Sequence, residues 1–352
     1  MMQTLTVKIR IFPTQPNILR KLGKEYMRVV NQLTEQAEQL RAFPKITTKD
    51  VESILPSAVC NQAIRDAKSV YRKIKKVGTR PVLKKPVYFV NNQNYTVSEN
   101  TIAFPIVVHG KTKKMAFHAI TSSREMELVR KAKLGLMRIG EKSGKWYAQI
   151  SLEVPTSETS HQGIMGIDLG LKAPAVAMTS TGKTRFFGNG RHNKYIRRKY
   201  QERRRKLGKL KKLSAIRKLG NKEQRWMKDQ NHKISRQIVN TAIQEGVSII
   251  KLERLANIRK TARTSRKNAK NLHSWTFYQL QQLISYKANL VGIKVMEVNS
   301  SYTSQSCPDC GAKNKAIDRW YECSCGFKAH RDRVGAINIM RQPVTDGNSL
   351  SA

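Results

Sequence analysis

Four of the chain's five cysteines fall within nineteen residues, as CPDCG at Cys307 and Cys310 and CSCG at Cys323 and Cys325. Twelve residues separate the two pairs, a short hairpin's worth, so the segment folds around its thiols. Four thiolates suit tetrahedral Zn²⁺, and four protein ligands leave no open position, so the expected role is structural. Pro308 sets the first turn, and Gly311 and Gly326 each supply positive φ after a pair. The single residue between Cys323 and Cys325 makes a tighter loop than the common two-residue pair and leaves His330 as an alternative ligand. A redox role for CPDC is disfavoured, because no thioredoxin-like βαβ pattern surrounds it. Seven residues past Cys325, Asp332 opens a helical pattern, RDRVGAINIMR. Its position suggests a carboxylate delivered to a site whose partners lie upstream.

Composition narrows the class. Of 352 residues, 67 are Lys or Arg and 24 are Asp or Glu, a formal net charge of +43. That excess implies a polyanionic partner, with nucleic acid ahead of an anionic membrane surface. No run approaches eighteen apolar residues, and MMQTLTVKIRIFPTQ alternates rather than forming a signal-peptide core. A cytoplasmic, prokaryotic protein with no membrane partner is expected. Clustered cysteines in a reducing compartment favour metal over disulfides, and Cys60, alone on a helical pattern, reads as a buried small residue.

Apolar periodicity predicts an α/β multidomain chain. TLTVKIRIF alternates as a strand; helical patterns follow over about 17–42 and 57–76; strands then recur from 81 to 153. One strand separated by helices from the sheet it joins predicts an N-terminal β-barrel or sandwich with an inserted helical lobe. After the linker PTSETSHQG come the strands GIMGID, PAVAMTS and TRFFG, joined by short turns. A basic stretch follows, then VSIIKL, a helix over 275–290, the strand IKVMEV, the cysteine module and a helix over about 332–341. Three antiparallel strands, helix, strand, helix, strand, helix is the order of an RNase H-like fold.

Three acids sit where that order brings elements together. Asp168 ends GIMGID, Glu253 closes VSIIKLE, and Asp332 opens the last helix, where Gly335 and Ala336 let it lie close to the sheet. Buried carboxylates in such proximity repel unless cations lie between them. Two Mg²⁺ ions about 3.5–4 Å apart are the usual solution in phosphodiester hydrolysis. Taken singly, each acid reads as a strand end or a helix cap. Residues 191–236 carry 19 Lys or Arg against three acids. Arg197, Arg198, Arg203, Arg204, Arg205, Lys209, Lys211 and Lys212 are the candidate wall of a nucleic-acid channel, giving backbone affinity rather than sequence reading. Tyr195, Tyr200, Leu207, Leu210 and Leu213 give that stretch a partial apolar face. Residues 254–270 are again basic and read as a mobile loop; Trp275, Phe277 and Tyr278 read as core aromatics.

GIDLG, NHKISRQIV, IIKLERL, YKA…GIKV, TSQSCPDCG and CGFKAHRDRVGAINI together resemble the TnpB family of transposon-associated, RNA-guided nucleases, relatives of the miniature type V CRISPR effectors. The resemblance is ordered over 163–341 and weaker over 1–160. It implies a wedge barrel over 1–15 and 80–160 and a recognition lobe over 16–79. It further implies a RuvC-type nuclease domain over 161–300 and 330–341, a zinc ribbon over 301–329 and a disordered tail over 342–352. By matching motifs, Asp168, Glu253 and Asp332 are the three RuvC acids, holding Mg²⁺, and the ribbon assists loading of the nuclease site. The implied partners are a guide RNA and target DNA. The expected activity is Mg²⁺-dependent, RNA-guided DNA cleavage. A guide-independent transposase or nuclease, or a non-catalytic nucleic-acid-binding regulator, is the alternative.

Overall fold

The structure is a computed structural model that describes residues 2–156, 159–254, 277–299 and 302–343. Residues 255–270 of the basic loop, Trp275 and the tail beyond 343 lie outside the described residues. The chain divides into two compact units, Met1–Pro155 and Thr156–Ala352.

In the first unit, alternation in β1 (Met2–Phe12) buries Val7, Ile9 and Ile11 on one face. Helices α1 (Pro16–Gln39) and α2 (Ser57–Val77) follow. The remaining strands are β2 (Tyr88–Val90), β3 (Thr96–Val97), β4 (Thr101–Val108), β5 (Lys111–Ile120), β6 (Lys133–Lys142) and β7 (Lys145–Pro155). They form one sheet ordered β2-β6-β7-β1-β5-β4-β3, so the first strand inserts centrally between strands from beyond the helices. Where a barrel is expected, the ladder is open: no pairing joins β2 to β3 among the described residues. The sheet nevertheless curls until distant strands meet. Tyr88 Oη on β2 donates to Pro105 O on β4 at 2.6 Å, and the Tyr88 and Phe104 rings lie 6.2 Å apart. Side chains fill the interior in place of the closing backbone bonds. The helices pack directly on this sheet: the Tyr26 and Phe89 rings are 5.6 Å apart, and Tyr26 Oη donates to Asp66 on α2 at 2.7 Å. A short helix, α3 (Ser123–Lys131), was not anticipated, although Ser122 and Glu125 form the reciprocal capping box that announces one.

The second unit is built on five strands: β8 (Gly163–Asp168), β9 (Ala175–Thr179), β10 (Thr184–Phe187), β11 (Val247–Glu253) and β12 (Lys294–Val298). Their order is β10-β9-β8-β11-β12. β9 runs antiparallel to both its neighbours, while β8, β11 and β12 run parallel. This is the anticipated meander followed by parallel crossovers. Strand periodicity of two divides the side chains between faces. Met165, Ile167, Ile250 and Leu252 enter a core with Ile234, Ile238 and Val239 of α6 (Lys222–Gln244) and Leu280 and Ile284 of α7 (Phe277–Asn289). Phe277 is buried there as expected, but Tyr278 faces solvent. The other face receives α8 (Arg331–Arg341), whose Ala336 and Ile337 pack on Val176 and Met178.

The basic stretch is not one helix. α4 (Gly190–Lys209), α5 (Leu213–Leu219) and α6 divide it, and Lys211 turns the chain at φ 52°. Leu210 and Leu213 are exposed at this break rather than forming an apolar face.

Helix α8 meets β8 backbone to backbone. A Cβ on Gly166 would lie 2.3 Å from Ala336 O and 2.4 Å from Met340 N. Neither atom is a flexible side-chain end, so strand and helix must separate to admit a methyl. Gly166→Ala therefore costs about 1–3 kcal/mol as overpacking. Thermal unfolding should show a lower Tm, by roughly 2–4 °C per kcal/mol for a unit of this size. An unchanged Tm would contradict the close approach.

Candidate active site and metal centre

The same alternation that buries Ile167 and Leu252 points Asp168 and Glu253 to the opposite face. Leu252 sits in register with Ile167 on the adjacent parallel strand, so the two acids end neighbouring strands side by side. Helix α8 then brings Asp332 from its first turn. Gly335 is what permits this: a Cβ there would lie 3.0 Å from Asp168 Oδ2. Asp168, Glu253 and Asp332, 164 positions apart at the extremes, are thus brought to one place by two strand ends and one helix.

Burial first, then the charges of Glu253 and Asp332, push the Asp168 carboxyl well above the usual carboxylate range. Arg331 and Arg319 oppose this more weakly. Burial also raises Glu253, against a hydrogen bond donated by Thr303 Oγ1 to Glu253 Oε1. The backbone carbonyl of Glu253 accepts from Gln281 Nε2 of α7 at 2.7 Å, so this residue is held at both ends. Asp332 is gripped by Arg319, whose Nη1 donates to Oδ1 at 2.7 Å and Oδ2 at 2.8 Å. The donor set is all oxygen and anionic, which is the chemistry that suits a hard divalent cation such as Mg²⁺.

Thr303 and Gln281 escaped the sequence reading, and so did two cationic supports. Lys251 lies on the acid-bearing face of β11 and donates from Nζ to Met340 O at 2.9 Å and Gln342 O at 2.6 Å. A cation there satisfies orphan carbonyls at the helix C-terminus and opposes its dipole. A lysine inside the apolar run VSIIKLE was the signal. Arg319 carried no comparable signal, because only the fold places it beside Asp332.

The cysteine module is compact. β13 (Trp320–Glu322) and β14 (Lys328–His330) form a two-stranded hairpin that leads straight into α8. Cys307 and Cys323 are buried with Tyr321, Ala329 and Val334 of α8. All four cysteines are free thiols, and their sulfurs lie within 4.8 Å of one another. The Cys307–Cys325 and Cys310–Cys323 sulfurs are 3.6 and 3.4 Å apart. Four sulfurs about 2.3 Å from one zinc would be about 3.8 Å apart, so the set fits a tetrahedral ion. Gly311 and Gly326 take φ of 74° and 91°, as the sequence requires. The one-residue CSCG pair therefore completes the set, and His330 is not needed. Its Nδ1 instead accepts from Asp332 N at 3.2 Å as the N-cap of α8. Among the described residues the cysteines are the only group of three or more metal-binding side chains this tightly gathered.

Of the eight basic candidates, Arg198, Arg203, Arg205, Lys209, Lys211 and Lys212 are exposed. Arg204 is partly buried and paired with Glu223 of α6, and Arg197 is partly buried under the influence of the same carboxylate. The Arg204 guanidinium thus fastens α4 to α6. No helix among the described residues is long and apolar enough to cross a membrane.

Residues 148–259 match the family OrfB_IS605, described as a probable transposase, and 277–339 match the Cas12f1-like TNB domain. The CRISPR-associated endodeoxyribonuclease Cas12f1 of Sulfoacidibacillus thermotolerans is 33% identical over 219 residues, covering 56% of this chain and 50% of the relative. That of Syntrophomonas palmitatica is 27% identical over 332 residues, covering 80% and 66%. A TnpB-like protein of Methanocaldococcus jannaschii is 34% identical over 145 residues, covering 40% and 52%. The matches thus span about half to two thirds of these relatives' lengths. In fold, the chain resembles Cas12f1 in its complex with single guide RNA and target DNA, with TM-score 0.72 and 17% identity over 94% of this chain and 84% of that one. The mini-RNA-guided endonuclease Cas_phi3 aligns with TM-score 0.56 and 12% identity over 97% and 93%. Two family matches in tandem, with TnpB-like and Cas12f relatives across them, make the second unit of this chain similar to the OrfB_IS605 and Cas12f1-like families.

Proposed function

We propose that this chain is a transposon-encoded, RNA-guided DNA endonuclease of the RuvC type. The observation that carries the reading is the gathering of Asp168, Glu253 and Asp332 on one buried face, with Asp168 driven above its usual range by burial first and then by the other two. A structural protein gains little from gathering three carboxylates on one buried face, whereas a cation site requires them. Relatives named as endodeoxyribonucleases, and the likeness to a guide-RNA–target-DNA complex, support the same reading. A chain of net charge +43 suits backbone binding of both nucleic acids, with base pairing rather than protein reading most of the sequence.

The residues divide the work. Asp168, Glu253 and Asp332 would hold Mg²⁺. The bound cations would activate the attacking water and stabilise the leaving oxygen of phosphodiester hydrolysis. Thr303 and Gln281 fix Glu253; Lys251 holds the far end of α8, so that its first turn keeps Asp332 in reach. Arg319 balances the Asp332 charge from the cysteine module. Cys307, Cys310, Cys323 and Cys325 would hold a structural zinc that keeps Arg319 and α8 in register. The exposed cations Arg198, Arg203, Arg205, Lys209, Lys211 and Lys212 offer phosphate contacts.

The test of the whole reading is to purify the chain with the RNA it retains, replace the guide segment, and follow cleavage of matched and mismatched DNA. Cleavage should follow the supplied guide; cutting indifferent to it favours the transposase-like alternative, and no Mg²⁺-dependent cutting under any guide favours the regulator.

Asp168→Asn should lower cleavage by at least about 10³-fold while RNA binding persists. The same change should raise the Tm of the metal-free chain at pH 7, because it removes a buried, repelled charge at constant shape. The sign follows from linkage: a carboxyl raised in the folded state makes the native chain bind more protons than the unfolded one. Stability contributed by that proton is present below the ordinary carboxylate range and is lost as pH rises through the raised value. Melting curves across pH, with and without Mg²⁺, check both statements. Double substitution of Cys307 and Cys310 by Ser should reduce bound zinc from about one per chain to near zero by elemental analysis, with loss of thermal stability.

A further inference from the structure

The turn between α4 and α5 carries side chains that the core and the acid site leave unused. Leu210 and Leu213 are 62% and 61% exposed, and Lys209, Lys211 and Lys212 around them are exposed as well. Backbone bonds define the turn. Lys211 N donates to Gly208 O at 3.0 Å, Lys212 N to Leu207 O at 2.9 Å and Leu213 N to Lys211 O at 2.9 Å. The first two are the bonds that stop a helix through a left-handed residue, where glycine is usual. Here Lys211 takes that place, at φ 52°, and the nearest glycine, Gly208, lies inside α4. About two turns before the tip, Arg204 is paired with Glu223, which braces α4 against α6.

A single exposed leucine needs no explanation. Two on one four-residue turn of lysines do, because the neighbouring apolar residues are not left in water. Leu219 of α5 is buried, and Leu207, Ala215 and Ile216 are half-buried. Charge selects the occupant. Residues 203–222 hold ten Lys or Arg and no Asp or Glu, so the tip repels a second copy of a chain of net charge +43 and attracts a polyanion. Two leucines are too little apolar surface for a lipid interface, which takes a continuous apolar helix face. Nor do they offer the flat rings on which unpaired bases stack. Aliphatic side chains between cations suit a closed base stack, where apolar wedges enter between base steps and cations hold the flanking phosphates.

We propose that Leu210 and Leu213 form an apolar wedge that enters the base stack of duplex DNA, with Lys209, Lys211 and Lys212 on the flanking phosphates. The wedge partly unstacks and kinks the duplex, and so lowers the barrier to opening it. Guide pairing requires that opening, since base pairs of the target must part before the RNA can replace one strand. A hybrid of guide and target is the less suitable occupant, because unstacking there would oppose the pairing. This deepens the nuclease reading by assigning a device for duplex opening, and it rests on that reading for its purpose.

The test uses the full chain with its copurified RNA in the Asp168→Asn background, so that DNA is bound but not cut. The first probe is a duplex unrelated to the guide, labelled at both ends for energy transfer. The parent should bring the ends closer, and the double variant Leu210→Ala, Leu213→Ala should not. The double variant Leu210→Met, Leu213→Met keeps an apolar wedge and should kink the duplex like the parent. Both positions are exposed, so Tm should be unchanged; if the alanine pair lowers it, Leu210→Ala alone carries the comparison. The second probe is the matched target with one 2-aminopurine. Opening of the paired duplex should slow by about ten- to a hundredfold in the alanine pair, and opening of the same target with a mismatched bubble should not slow. Equal end-to-end distances in parent and alanine pair overturn the proposal, as does equal slowing on bubble and paired duplex, which marks lost affinity alone. Leucine-dependent binding to phosphatidylserine vesicles or self-association, without a kink, gives the tip to another occupant and likewise overturns it. The outcome is separable from the nuclease reading. A leucine-dependent kink, when the wild-type chain cuts no matched target, keeps the wedge and discards the nuclease; guide-directed cutting without a kink does the reverse.

Discussion

The approach of helix α8 to strand β8 is the contact on which the acid site depends. Gly166 and Gly335 remove the two side chains that would hold helix and strand apart, and α8 settles with its backbone on the strand. Only at that separation does Asp332 come close enough to raise Asp168 together with Glu253. The arrangement is costly in the metal-free chain, since it concentrates negative charge where water is scarce. Arg319 and Arg331 offset part of that cost, while Lys251 steadies the other end of the same helix. Lys251 bonds its last carbonyls, and Arg319 grips the carboxylate in its first turn.

The cysteine module is joined to this arrangement rather than appended to it. Its second strand runs into α8 without a linker, and Val334 of α8 is buried with Cys307, Cys323 and Tyr321. Asn338 further ties the helix to the module's entry, donating to Thr303 O and Ser306 O at 2.7 Å each. So few apolar side chains give this segment a small core, and an ion held by the four convergent sulfurs would supply further constraint. Thr303 and Arg319 of this region touch two of the three acids. The module thus also sets the geometry of the carboxylates.

Much of this was legible before any coordinates. The strand order of the second unit follows from apolar runs and the turns between them, because short connections leave few ways to pair. The acids stood out because carboxylates at the ends of apolar strands are unusual. What escaped has identifiable causes. Helix α3 was read as part of a strand-rich region although Ser122 and Glu125 announced it. The open, curled sheet was expected as a barrel because strand content does not specify whether the last ladder closes. Arg197 and Arg204 were grouped with freely exposed cations because charge density is uniform along 191–236. Their turn toward Glu223 depends on how α4 meets α6.

By itself the sequence determined the inventory: strands and helices in order, three acids at element ends, four thiols in two pairs, and a large positive charge. Those properties are local, set by side-chain alternation, turn residues and composition. The tertiary structure alone decided which residues meet. It brought Asp332 back to Asp168 across 164 positions, gave His330 to a helix cap rather than to the thiol cluster, and set Arg319 on the third carboxylate. It also left Leu210 and Leu213 facing outward at the turn between α4 and α5. Contacts between distant segments depend on the distance at which backbones pack, and that distance is a property of the folded chain.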